Sequence, residues 1–378
     1  MPEHADILLF VEDPGAANYA AGLPAALAAL GRSAVLLAAG PAERYLRECG
    51  VPFTALPCGP GRDAALPSGA DAAGVLSRWS PRLVAVGTSE NPRTIGLGLI
   101  DAAADRGVPS AGLIDGYANA AHRFRGQGGF SLGHAPDWLI VPDDATSAAY
   151  AVLGFPAPRI RACGHPHWDH VRAEAARYSR EDRTALRARL FPGCARERPA
   201  WVFAAEISDG LDPAQYRRSA EYTLKGNPES SGRTEIVLDE FLAAVRRLPT
   251  RPYLVLRLHP KNRREELRRY LDAFDGISSG GTPLELLYAS DAVVGMTSML
   301  LLEAVLSERR TFSILPRPSE RAWLPTIALG STPCAGRREE IEKGLEDLLV
   351  PGPPPPSGLP ETACLPAVAE TLAGLARV

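Results

Sequence analysis

Two stretches decide the fold: Arg257-Leu258-His259-Pro260-Lys261, and Asp291-Ala292-Val293-Val294-Gly295-Met296-Thr297-Ser298-Met299-Leu300-Leu301-Leu302-Glu303-Ala304. In the first, an apolar run from Tyr253 to Leu258 ends at a His-Pro corner. In the second, Ala292 to Val294 passes through Gly295 into Thr297-Ser298 and a Leu-rich helix. Short apolar runs bounded by turn residues are the signature of buried parallel strands. The pattern therefore places a histidine, two hydroxyls and a helix N-terminus at the C-terminal edge of one sheet. Open α/β sheets bind ligands at that edge, and helix N-termini there accept phosphate. The expectation is a nucleotide-diphosphate site.

Outward from these stretches, strand-like runs alternate with helical ones, the pattern of parallel α/β layers. In the first half the strands are Ile7–Val11, Ala34–Ala38, Phe53–Leu56, Leu83–Gly87, Ser110–Ile114, Trp138–Val141 and Arg159–Ala162. Helices are expected over Tyr19–Leu30, Pro41–Cys49, Ala72–Arg78, Thr94–Arg106 and Asp144–Leu153, with a Gly/Pro/Ala loop over Cys58–Asp71. A charged helical stretch, Ser179–Leu190, separates the halves. The second half then runs through strand Trp201–Ala205, helix Glu235–Leu248, strand Tyr253–Leu258, helix Arg263–Phe274, a segment over Leu284–Tyr288, strand Ala292–Val294, helix Ser298–Ser307 and strand Thr311–Leu315. Pro351–Pro356 is a stiff spacer before a last helix near Leu365–Ala376. No short internal repeat is evident. The predicted architecture is α/β, two Rossmann-like domains facing a cleft. Residues 1–172 would form the acceptor domain, 173–199 a linker, 200–350 the nucleotide-donor domain and 351–378 a spacer with a terminal helix.

Composition agrees with this scheme. A chain of 378 residues is too long for one ordinary core, and 46% apolar with 22% charged residues is globular rather than disordered. A net charge of −3 gives no reason to expect a nucleic-acid partner. No apolar run reaches the length of a membrane span. Glu3 and Asp6 stand where a secretory leader would carry basic residues, and the six cysteines show no C-x-x-C pair. Reduced thiols in a cytoplasmic protein are the expectation.

Each candidate residue has a chemical reason. His259, delivered by a strand end, can neutralise or protonate a departing phosphate. Ser298 can cap its helix or, with Thr297, hold phosphate oxygens. Glu303, on an otherwise apolar helix, can accept both hydroxyls of a ribose. Arg257 and Lys261 add positive charge, although Glu265 and Glu266 make most of that run a solvated face. Asp115-Gly116, closing the strand Ser110–Ile114, offers a general base, or a plain turn. Asn119, His122 and Arg123 follow closely and make a polar wall. Gly15, in Glu12-Asp13-Pro14-Gly15, permits close approach of substrate at a tight turn; the segment lacks G-x-G-x-x-G, so dinucleotide binding is not expected.

His165-Pro166-His167-Trp168-Asp169-His170 matches H-x-H-x-D-H, the metal-binding string of metallo-β-lactamase-like hydrolases. That family needs further histidines downstream, and only His259 follows. Whether His165, His167, Asp169 and His170 hold metal stays open at this level. The string also has another reading. With the preceding Cys163-Gly164, it resembles the TG-x-P-x-x-D segment of UDP-N-acetylglucosamine 2-epimerases and related proteins of the GT-B fold, where it closes the first domain. Asp115-Gly116 sits where those epimerases carry an acidic residue after a strand, and resembles the acidic-Gly motif of bacterial sialyltransferases. His259-Pro260 and Thr297-Ser298 resemble the His-Pro and Ser/Thr motifs of sialyltransferases, polysialyltransferases and glycerophosphotransferases. Ser319-Glu320-Arg321 is similar to the epimerases' Thr-Glu-Arg.

The chain departs from the epimerase pattern in two places. Met296-Thr297-Ser298-Met299 replaces Asp-Ser-Gly-Gly, and Glu206-Ile207-Ser208-Asp209-Gly210 stands in place of the His-Arg-Glu-Asn string. The resemblance implies a GT-B enzyme acting on a nucleotide-sugar donor and a small-molecule or glycan acceptor. In surface-polysaccharide or other glycoconjugate synthesis it would need no metal and no cofactor beyond the nucleotide-sugar itself. A hydrolysing 2-epimerase is the alternative, and a homodimer is compatible with either. Asp115 and His259 are the expected catalytic residues. Gly15, Arg257, Lys261, Thr297, Ser298 and Glu303 are the expected binding residues.

Overall fold

The computed structural model describes residues 4–56, 68–207, 217–279 and 282–377. Most of the expected loop Cys58–Asp71, and Ser208, Asp209 and Gly210, lie outside the described residues. Met1–His170 together with Pro360–Val378 form one compact unit, and Val171–Leu359 form a second.

The first unit is built on seven strands: β1 (Ile7–Val11), β2 (Ala34–Ala38), β3 (Thr54–Ala55), β4 (Leu83–Gly87), β5 (Ser110–Leu113), β6 (Trp138–Val141) and β7 (Ile160–Ala162). They pair in parallel in the order β3-β2-β1-β4-β5-β6-β7. Every residue of β1 and β4 is buried. Helices cover both faces of the sheet, and strands covered on both faces read as continuous apolar runs rather than alternating ones. Leu9, Val11 and Ala85 enter one core layer, and Leu8, Phe10 and Val84 the other. Strand order reverses between β1 and β4, which makes their carboxyl ends the switch point where such sheets hold ligands.

The helices of this unit are α1 (Pro14–Ala20), α2 (Leu23–Ala29), α3 (Gly40–Glu48), α4 (Ser68–Trp79), α5 (Ile95–Asp105) and α6 (Asp144–Val152). The single helix expected over Tyr19–Leu30 is instead two. Pro24 opens α2; lacking an amide hydrogen, it cannot continue the ladder of α1 but fits a first turn. Helix α7 (Pro166–Tyr178) begins with another proline at the end of this unit.

In the second unit come α8 (Arg183–Leu190), β8 (Ala200–Ala204), α9 (Arg233–Val245), β9 (Tyr253–Arg257), β10 (Gly276–Ser278), α10 (Leu284–Ala289), β11 (Ala292–Gly295), α11 (Met299–Leu306), β12 (Arg310–Ile314), α12 (Pro325–Ala328), β13 (Cys334–Ala335) and α13 (Arg338–Leu349). Its six strands are again parallel, in the order β10-β9-β8-β11-β12-β13. The order again reverses once, between β8 and β11. The core packs Trp201, Phe203, Phe241, Leu256, Phe274 and Val294 together. The helix expected over Arg263–Phe274 is a 3-10 run, Arg264–Ala273, broken at Leu267 (φ −111, ψ 15). Its buried anchors, Leu267 and Tyr270, are three residues apart, the repeat of a 3-10 rather than an α-helix.

Helix α14 (Cys364–Leu375) returns to the first unit, where Val368, Ala369, Leu372 and Ala373 join the layer containing Ile7, Tyr19 and Leu27. Among the described residues no helix is long and apolar enough to cross a membrane.

Candidate active site

At the carboxyl edge of the first sheet, β5 runs through Ile114 to Asp115. The Asp115 side chain is 13% exposed, and its Oδ1 accepts from Arg123 Nη1 at 2.8 Å. The Thr88 hydroxyl, from the end of β4, lies 3.4 Å from the same oxygen and accepts from Arg123 Nη1 at 2.7 Å. Burial raises the Asp115 pKa from its ordinary value; Arg123 opposes that shift and Asp13 adds to it. The result is a buried carboxylate held in place by Arg123.

Gly15, the second residue of α1, allows this arrangement. A Cβ there would lie 2.2 Å from Asp115 Oδ2, so only glycine lets the carboxylate reach the start of α1. Asn119 adopts a left-handed conformation (φ 62) and donates to Glu90 Oε1 at 2.8 Å. His122 is half-buried beside Arg123 in the chain. The Tyr19 and Tyr117 hydroxyls are buried without a hydrogen-bond partner among the described residues. Neither tyrosine stood out in the sequence, because an apolar helix face and a turn are ordinary places for the residue.

The histidine string does other work. His165 is buried with its ring edge-on to Tyr19 at 4.7 Å and stacked on Trp168 at 6.1 Å. Its Nδ1 accepts the His167 amide at 3.3 Å, which leaves the proton on Nε2, and the ring bonds the Asp115 backbone. Burial, with His167 beside it, pushes the His165 pKa down to about 3, so the ring is neutral. Asp169 Oδ2 accepts the Leu365 amide at 2.7 Å and so satisfies a first-turn N–H of α14. Gly164 (φ +80) comes so close to α14 that a Cβ would meet Cys364 Sγ at 2.3 Å. The segment therefore ties the end of the first sheet to the returning terminal helix. Among the described residues no group of three or more His, Cys, Asp or Glu is placed to hold a metal ion.

In the second unit, the switch point between β8 and β11 is polar. Glu206, two residues past β8, accepts the Thr297 amide through Oε1 at 2.6 Å. Its Oε2 lies 3.1 Å from the Thr297 hydroxyl and accepts from Arg233 Nη1 at 2.5 Å. Arg233 also donates from Nη2 to Thr297 Oγ1 at 3.0 Å and from Nε to Glu320 Oε2 at 2.9 Å. Glu320 in turn accepts from Arg317 Nε at 2.7 Å, and both guanidiniums lie over the Trp323 ring. Arg233 and Glu320 are almost fully buried, at 1% and 0% exposed. A buried pair of charges is tolerated when each is compensated and hydrogen-bonded, as here.

The expected donor residues fall around this network unevenly. His259 follows β9, and its Nδ1 accepts the Lys261 amide at 3.1 Å, which puts the neutral ring's proton on Nε2. Asn262, which accepts the His259 amide at 3.1 Å, lies 3.5 Å from the Glu206 carbonyl. Ser298 caps α11, accepting the Leu300 amide at 3.2 Å. Glu303 is buried on α11. Arg257 is buried at the sheet and donates to Ser278 Oγ at 3.0 Å, which ties β9 to β10. Lys261 is half-buried in the turn after His259.

Sequence reasoning missed Arg233 and Arg317, and noted Glu206 and Glu320 without their pairing. A run such as Gly232-Arg233-Thr234-Glu235 gives no sign that its arginine turns inward. The one available signal was Glu320 in Ser319-Glu320-Arg321, a carboxylate that had to find a buried cation.

No protein-family model matches the chain, and no curated protein matches it in sequence. Solved structures share its fold along nearly the whole length. The UDP-GlcNAc 2-epimerase from Neisseria meningitidis bound to UDP-GlcNAc aligns with a TM-score of 0.69 at 11% identity, over 97% of this chain and 99% of that one. The UDP-GlcNAc 2-epimerase from Methanocaldococcus jannaschii gives 0.66 at 12% identity, over 97% and 99%. The Anabaena HepE protein in complex with UDP and glucose gives 0.57 at 14% identity, over 99% and 95%. These likenesses, at such low identity, establish that the chain has the fold of two Rossmann-like α/β domains, of the GT-B type, that these proteins share.

Proposed function

We propose that this protein is an enzyme acting on a nucleotide-activated sugar, and that it transfers the sugar to a small-molecule or glycan acceptor. The observation that carries the proposal is Asp115: a single carboxylate at the sheet edge, held by Arg123 and raised in pKa by burial. A carboxylate held and buried in this way can take a proton from an acceptor hydroxyl as a general base. The second unit would bind the nucleotide. His259, with its proton on Nε2, would donate to the departing phosphate. Thr297 and Ser298 at the start of α11 would hold its oxygens, and Glu303 would accept the ribose hydroxyls. Arg257, bonded to Ser278, would act on the site only through the position of β9.

A 2-epimerase is the second reading. It is favoured by the fold shared with proteins described as UDP-GlcNAc 2-epimerases, one of them with UDP-GlcNAc bound. Against it stand Met296-Thr297-Ser298-Met299 at the start of α11 and Glu206 at the end of β8.

Incubation with a panel of UDP-, CDP- and CMP-sugars, with and without glycan acceptors, separates the two. Nucleotide release that requires an acceptor, and is lost in Asp115→Asn, supports transfer. Conversion of UDP-N-acetylglucosamine to its 2-epimer without an acceptor would overturn it in favour of epimerisation.

A further inference from the structure

Each unit places a glutamate just after its first strand, and each glutamate accepts an amide hydrogen where the chain leaves its fourth strand for a helix. In the first unit Glu12 bonds the Thr94 hydroxyl and accepts the Ile95 amide at the start of α5, at 3.1 Å. In the second unit Glu206 accepts the Thr297 amide just before α11. The position in the topology is the same: one residue past β1 for Glu12, two past β8 for Glu206, across the strand-order switch point in both sheets.

The surroundings differ. Glu12 is buried at 4% exposure, its acceptor groups facing α5, and it acts as a fixed cap. The Glu206 side chain is 14% exposed. Its two oxygens sit on an N–H, a hydroxyl and the Arg233 guanidinium. That donor set is the kind that holds phosphate oxygens at strand-to-helix junctions: backbone amide, hydroxyl and a planar cation.

Charge decides what this means. Arg233 and Arg317 carry two positive charges, and Glu206 and Glu320 two negative ones, so the cluster is neutral with Glu206 in place. A diphosphate arriving at Thr297 meets a carboxylate on the donors it needs, and like charges at such short range exclude each other. With Glu206 moved aside, the same donors carry a net positive charge.

We infer that Glu206 is a built-in competitor for the phosphate: its carboxylate occupies the anion-binding groups of the nucleotide site and is displaced when a diphosphate binds. This inference rests on the proposed nucleotide site and adds a residue that sets its affinity. Glu206 is a positioning residue here, acting on the ligand through Thr297 and Arg233.

The test is calorimetric titration of the full chain and of Glu206→Gln with UDP, uridine and inorganic pyrophosphate, checked against thermal unfolding of both proteins. Glutamine keeps an acceptor for the Thr297 amide and removes the charge. The expected result is tighter binding of UDP and pyrophosphate by about tenfold or more, with uridine unchanged, alongside a lower unfolding temperature because Arg233 loses one of its two carboxylates. Equal or weaker UDP binding by the variant overturns the inference and leaves the nucleotide site standing. Tighter pyrophosphate binding with neither UDP nor uridine bound by either protein supports the displaced carboxylate and overturns the nucleotide reading. A carboxylate that only props the fold would lower the unfolding temperature and weaken every ligand alike, which also overturns it.

Discussion

Replacing Gly15 by alanine sets two effects of known sign against each other. Gly15 is the second residue of α1 and does not use the left-handed region, so alanine is compatible with its backbone. In a helix, alanine is favoured over glycine by about 0.5–1 kcal/mol. The new Cβ, however, would fall 2.2 Å from Asp115 Oδ2 and 3.3 Å from Cγ, well inside contact distance. The carboxylate must turn, and its 2.8 Å bond to Arg123 is then strained or lost. A hydrogen bond to a charged group is worth about 1.5–3 kcal/mol. The two terms leave Gly15→Ala less stable by roughly 1–2 kcal/mol. In an Asp115→Ala background the clash is gone, and the same substitution should stabilise by about 0.5–1 kcal/mol. Urea unfolding of the four proteins measures the coupling as a cycle, expected near 2 kcal/mol. If Gly15→Ala stabilises the wild-type chain as much as the Asp115→Ala chain, Gly15 is only a turn residue and does not make room for the carboxylate.

The buried charges of the second unit and the buried histidine of the first give two further tests. Glu320→Gln leaves the Arg233 and Arg317 guanidiniums sharing one neutral side chain, and breaking a buried ionic network of this kind costs about 3–5 kcal/mol. Trp323, which both guanidiniums overlie, should report the shift by fluorescence during urea unfolding; a change under about 1 kcal/mol would contradict the charge accounting. His165 is neutral in the fold, with a pKa near 3, whereas an unfolded histidine titrates near 6.5. The unfolded chain therefore binds the extra proton first, so this contribution to stability is present above about pH 6.5 and is lost as pH falls towards 3. The slope should approach about 1.4 kcal/mol per pH unit in that window, and His165→Asn should flatten it. An unchanged slope would mean that His165 charges without leaving its place.

Much of this was legible in the amino-acid sequence, and the limits have physical causes. Buried parallel strands must be apolar on both faces, so β1, β4, β9 and β11 stood out as runs bounded by turn residues. The edge strand β3 lay within the expected strand Phe53–Leu56, whereas β13 spans only two residues and leaves almost no pattern. Asp115 was visible because a strand end dictates where its side chain emerges. Arg233 was invisible because a guanidinium turns inward only when distant carboxylates await it, here Glu206 and Glu320, 27 and 87 positions away. The H-x-H-x-D-H string shows the reverse case. Its spacing suits a metal, yet His165 serves as a neutral donor to the Asp115 backbone and Asp169 as a cap for α14. Spacing alone cannot separate those uses, since each needs the same atoms pointing inward from a tight corner.

The two switch points explain why chemistry falls where it does within each unit. In the first, Glu12 closes the gap between β1 and β4 by bonding the start of α5, and it is itself buried. The polar edge moves one strand over, to β5, where Asp115, Thr88 and Arg123 meet beside Gly15. In the second unit the gap itself stays polar, because Glu206 is compensated by Arg233, and Arg233 by the more deeply buried Glu320. One topology thus yields a held carboxylate in one unit and a charge-compensated polar junction in the other, which the proposed function reads as base and anion site. No short repeat in the sequence marks the equivalence of Glu12 and Glu206, since what they share is a place in the strand order, and the residues around each differ.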